Sequence, residues 1–165
     1  PSLTIDGGVI YNDGKIDQPR LLLLQRAAEV AGIPAFSGQL QDLPVAVVEQ
    51  ITQIPNVAEL SWRIGFDYRR PVGRDLELTA SGWVNYIGQS RLGVGPELGE
   101  AQRDYPATGL TVRVGRQDLG LTLGLANLTD EEGNRFALGT PFSIGRSQIT
   151  PLRPRTIRIG LDAAF

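Results

Sequence analysis

The last nine residues, Ile157 to Phe165, alternate apolar with polar or small side chains and stop on an aromatic. Side chains in a strand switch faces at every residue. Ile157, Ile159, Leu161, Ala163 and Phe165 therefore share one oily face, with Arg158, Gly160 and Asp162 opposite. The same period-two pattern returns along the chain. Leu3, Ile5, Gly7, Val9 and Tyr11 oppose Thr4, Asp6, Gly8 and Asn12, and Leu60, Trp62, Ile64, Phe66 and Tyr68 oppose Ser61, Arg63, Gly65, Asp67 and Arg69. Leu76, Leu78, Ala80, Gly82, Val84 and Tyr86 oppose Glu77, Thr79, Ser81 and Asn85, with Trp83 and Ile87 interrupting the polar side and demanding cover. Leu110, Val112 and Val114, then Leu119, Leu121, Leu123 and Leu125, complete a set of six strands.

The connections carry as much information as the strands. Arg70 to Asp75 and Arg116 to Asp118 read as tight turns, whereas roughly 17–57, 88–107 and 128–150 are long. Within the first long connection Leu21, Leu24, Ala28 and Val30 to Ala31 suggest a short helix, and Pro34, Pro44 and Pro55 punctuate the rest. In an up-and-down meander the order long, tight, long, tight, long puts every long connection at one end, which is the asymmetry of transmembrane β-barrels. No window approaches the 18 or so continuous apolar residues of a membrane helix; the pure run Leu21 to Leu24 is far too short. Membrane strands need only about 9–11 residues with one apolar face, and the mean hydropathy of −0.09 is compatible with that.

Composition removes several function classes. With neither cysteine nor histidine, disulfides, thiolate metal sites and the Ser-His and Cys-His nucleophile pairs are unavailable, so the expectation is not an enzyme and no cofactor or metal. Sixteen basic against eighteen acidic residues, with no basic block, leave no footprint for nucleic acid. Gly93-Val94-Gly95 followed by Gly99 misses the dinucleotide spacing and reads as loop glycine. Asp130-Glu131-Glu132 lacks the EF-hand pattern and reads as a solvated loop tip.

Two motifs carry a resemblance. Asn127-Leu128-Thr129-Asp130 leaves one strand, and Pro154-Arg155-Thr156 leads into the last. Both elements resemble the C-terminal end of TonB-dependent outer-membrane receptors, most specifically over residues 110 to 165. The terminal Phe165, with Arg158, Gly160 and Ala163 at the matching places, resembles the signal that the barrel assembly machinery reads in outer-membrane proteins. The resemblance implies an all-β, antiparallel up-and-down meander, about six strands of a barrel of about 22, with residues 1–165 as its C-terminal portion and the plug domain absent. It implies location in the bacterial outer membrane, lipid around the wall, and TonB-driven uptake of a small nutrient such as a ferric siderophore, cobalamin or glycan. The TonB complex would act through an N-terminal part that this sequence does not show.

On that reading Tyr11, Trp62, Tyr68 and Tyr86 are expected in the aromatic girdles, and Arg63, Asp67, Glu77, Arg113, Arg158 and Asp162 are expected to face the lumen. The chain starts at Pro1 and holds no methionine, so it reads as a piece of a longer precursor, and six strands are not expected to close a barrel or fold as a soluble monomer. The alternative is a soluble small β-barrel that closes on itself around an apolar ligand. A membrane hydrolase would need a nucleophile and base that the composition does not provide.

Overall fold

The computed structural model describes residues 1–95, 100–138 and 148–164. Six strands form one antiparallel sheet: β1 (Ser2–Tyr11), β2 (Leu60–Pro71), β3 (Glu77–Ile87), β6 (Tyr105–Gly115), β7 (Leu119–Ala126) and β10 (Thr156–Ala163), hydrogen-bonded in that order. Each strand lies beside its predecessor, so the sheet is a pure meander. The strands run eight to twelve residues; β1, β2, β3 and β6 have ten or more, and β7 and β10 have eight. β1 and β10 are its two edges and do not pair with each other, which corrects the alternative of a small barrel closed on itself.

The period-two pattern and the register combine to sort the side chains. Across one row Ile5 stands opposite Phe66, Phe66 opposite Gly82, Gly82 opposite Leu110, Leu110 opposite Leu125 and Leu125 opposite Ile157. Paired residues share a face, so the apolar stripes of all six strands merge into one surface. The tight turns join β2 to β3, where Val72 N–H donates to Leu76 O at 2.7 Å, and β6 to β7, where Arg116 N–H donates to Leu119 O at 2.7 Å. The three long connections all leave from the opposite end.

These connections are more structured than their sequence suggests. The first contains α1 (Leu21–Val30), a 3-10 turn (Leu40–Asp42) and α2 (Val45–Thr52). Gly32, at φ 71°, closes α1 by letting Ile33 N–H reach Ala28 O at 2.9 Å and its own N–H reach Glu29 O at 3.1 Å. The hydrophobic core of the molecule lies here, in Leu24, Ala27, Ala28, Leu43 and the fully buried Ile51, with Leu23, Phe36 and Val48 packed around it. Stretches read as loop hold two further hairpins, β4 (Ser90–Arg91) with β5 (Ala101–Gln102), and β8 (Asn134–Leu138) with β9 (Gln148–Pro151). β6 begins at Tyr105 instead of Leu110 and β3 at Glu77 instead of Leu76, because pairing extends the first and turn geometry trims the second.

Candidate functional site

The sheet itself is the candidate site, because its two faces meet different surroundings. On the apolar face nothing from the described chain covers the large side chains: Ile159 is 77% exposed, Leu161 75% and Ile5 67%, with Leu3, Val9, Ile64, Leu121 and Ile157 also exposed. Each Leu or Ile left in water forgoes about 1.5–3 kcal/mol of burial. A continuous exposed apolar surface of this size marks a contact with lipid or with another protein layer. Within the strands no carboxylate lies on it, and its one charge, Arg70, sits at the turn end opposite Leu78.

Aromatics stand near the ends of this face. Trp62 and Tyr86 are register partners at the long-loop end and stack with ring centroids 5.5 Å apart and planes at 13°. Tyr11 belongs to the same end, opposite Leu60, and Tyr68 lies toward the turn end opposite Leu3 and Ala80. The Tyr11 hydroxyl donates to Glu59 at 3.2 Å and the Tyr86 hydroxyl to Asp104 at 2.9 Å, so each phenol turns its polar tip toward the loops.

The opposite face carries Arg63, Asp67, Glu77, Arg113, Arg158 and Asp162, and several of them pair. Arg69 meets Glu77 at 3.3 Å. Arg113 of β6 reaches over β7 to Asp162 of β10, with Nη2–Oδ2 2.5 Å and Nε–Oδ1 3.1 Å. Gly120 lies under that bridge, and a Cβ there would come within 2.5 Å of the guanidinium carbon. The glycine therefore permits an ion pair across three strands. Gly120→Ala is expected to lower stability by about 1–3 kcal/mol but to be nearly neutral when Arg113 is also alanine. Equilibrium unfolding of the two single variants and the double variant checks this coupling.

Trp83, which breaks the polar face in sequence, rests on Gly109: a Cβ there would lie 2.7 Å from the indole, and the Arg63 guanidinium stands 5.6 Å from the ring centroid. Phe66 uses Gly82 in the same way on the apolar face. Pairing a bulky side chain with a glycine on the next strand is the rescue device of strongly twisted sheets.

What sequence reading missed is what the Asn127-Leu128-Thr129-Asp130 element holds together. At φ 52° Asn127 takes the left-handed conformation that Asn tolerates, and its side chain is buried. Nδ2 donates to Glu131 O and to Arg153 O, both at 2.9 Å, and Oδ1 accepts from Glu131 N–H at 2.9 Å. Asp130, also at positive φ, accepts from Arg155 N–H at 2.8 Å, and the Thr108 hydroxyl accepts from Leu128 N–H at 2.8 Å. The Asn-Leu-Thr-Asp element thus pins both ends of the third long connection to each other and to β6. Its spacing was visible in sequence, but the partners twenty or more residues away were not.

Arg158 and Gly160 lie on the polar face of β10, and Ala163 on the apolar face opposite Leu119. Phe165 lies outside the described residues. No helix among the described residues is long and apolar enough to cross a membrane.

Fold and faces together define a class: an all-β antiparallel wall with one apolar and one polar side and every long connection at one end. The chain is similar to the ferric-catecholate import receptor Fiu of E. coli K12 in its closed crystal form, with TM-score 0.51 and 18% identity over 67% of this chain. It spans 15% of that receptor's length. At this identity the likeness is one of fold. No model of a known protein family matches the sequence, and no curated protein matches it.

Proposed function

We propose that residues 1–165 are part of the barrel wall of a TonB-dependent outer-membrane receptor, with the apolar face in lipid, the polar face toward the lumen, and the long connections outside the cell. The carrying observation is the inversion of the molecule: its buried core lies in the helical connection, while the face with the longest apolar stripes is bare. A soluble sheet would cover that face; a membrane supplies the cover. On this reading the whole receptor takes up a small nutrient with energy delivered by TonB, and this chain contributes wall and outer connections and does no catalysis. Fiu is a ferric-catecholate import receptor, and a siderophore is the substrate class we carry over for the parent receptor.

Tyr11, Trp62 and Tyr86 form the girdle at the outer headgroups and Tyr68 belongs to the inner one. Arg158, Gly160, Ala163 and Phe165 serve as the assembly signal. The test is to express the chain with a free C-terminus and follow it by circular dichroism and size-exclusion chromatography. Partitioning into detergent micelles with a β-type spectrum is expected. A monodisperse, cooperatively unfolding monomer in the absence of detergent would overturn the proposal.

A further inference from the structure

The polar face holds one feature that wall and loops do not use. Between Trp83 of β3 and Arg158 of β10 the intervening strands present small residues, Gly109 and Thr111 on β6 and Gly124 on β7, and Arg153 closes the end of the resulting slot of about 250 Å³. The floor is low at Gly124, which carries no side chain, whereas the space over Gly109 is taken by the indole itself. One end is an indole lying flat against the sheet, its position set by Gly109 beneath it. The other end is cationic: neither Arg153 nor Arg158 meets a carboxylate among the described residues, in contrast to Arg69 and Arg113 on the same face.

The nearby acids do not neutralise it. Asp162, on the same strand as Arg158, is engaged by Arg113. Asp67 shares a row with Arg158 through Ser81, Thr111 and Gly124, but stands four strands away, about 19 Å at about 4.8 Å per strand.

We infer that the slot between Trp83 and the Arg153–Arg158 pair binds a small aromatic carboxylate, its ring against the indole and its carboxylate on the guanidinium groups. A flat ring suits the open floor over Gly124, beside the indole, since it can lie parallel to the sheet where a bulkier group would be held off. The open edge of the indole, whose ring already has the Arg63 guanidinium 5.6 Å from its centroid, supplies the apolar contact, and a guanidinium binds a carboxylate through two parallel hydrogen bonds. Trp83 to Arg158 spans three strand spacings, about 14 Å between backbones; the two side chains cover most of it and leave room for one ring and its acid group. The slot belongs to the polar face whichever surroundings the apolar face meets, so this inference stands apart from the membrane reading.

The test uses the whole chain in detergent micelles with Trp62→Phe, which leaves Trp83 as the single tryptophan. Benzoate is expected to quench its fluorescence saturably, and benzyl alcohol, the uncharged counterpart, is not. Arg153→Gln with Arg158→Gln should raise the benzoate midpoint by about tenfold or more. Gly124→Leu, which fills the floor, should abolish saturation while the β-type spectrum persists. Quenching by benzoate that rises without saturating, that matches benzyl alcohol, or that is unchanged in the arginine variant would overturn the assignment.

Discussion

Asn127→Ala should open the base of the third long connection and cost about 3–4 kcal/mol. Three hydrogen bonds of the buried side chain are lost, to Glu131 N–H, Glu131 O and Arg153 O, each worth about 1 kcal/mol net. Alanine must also hold a backbone at φ 52°, at roughly 1 kcal/mol. Asn127→Gly separates the two contributions, because glycine accepts the left-handed conformation freely and should recover about that last 1 kcal/mol. Limited trypsin digestion provides the readout. Arg155, whose N–H is held by Asp130, should become a cleavage site in Asn127→Ala well before the native chain is cut there. Equal cleavage rates would mean that the clamp does not hold the connection to β10.

Ile159→Arg should have opposite consequences in water and in lipid. Ile159 stands midway along β10 on the apolar face, opposite Leu123, and is the most exposed large hydrophobic residue of that face among the described residues. In water an arginine there removes no packing and lies within about 0.5 kcal/mol of neutral. At the middle of a bilayer it costs about 2–4 kcal/mol. Unfolding in detergent or vesicles should therefore show a loss of that size, while Thr122→Arg, on the polar face of the neighbouring strand, should show far less. Equal losses at the two positions would argue that the faces do not differ in their surroundings.

The sheet was legible in sequence because its signal is local. Alternation in Leu60 to Tyr68 or Leu119 to Leu125 fixes which side chains share a face, and the parity of tight and long connections fixes the direction of each strand. The register then follows from the turns at Gly73 and Gln117. What could not be read depends on contacts between distant segments. In the first connection the spacing of Leu21, Leu24 and Ala28 did show α1, but not α2 or the packing of Leu24 and Ala28 on Leu43 and Ile51, a core assembled from separate pieces. The hairpins β4–β5 and β8–β9 are too short, at two to five residues a strand, to show a period. Arg113 over Gly120 and Trp83 over Gly109 are pairings between strands, so the glycines look like loop-formers or weak strand residues until their neighbours are known. Trp83 itself was visible as a breach of the polar pattern, and that breach marks the slot.

The sharpest test of the account is to ask which face of the sheet touches lipid. Trp62 lies on the apolar face, stacked on Tyr86, and Trp83 lies on the polar face over Gly109. The chain would be reconstituted into vesicles of brominated phosphatidylcholine as two single-tryptophan variants, Trp83→Phe and Trp62→Phe. Bromine quenches only an indole within contact range, so strong quenching of Trp62 and little of Trp83 is the predicted result. Quenching of neither, or of Trp83 in preference to Trp62, would contradict the assignment of the apolar face to the membrane.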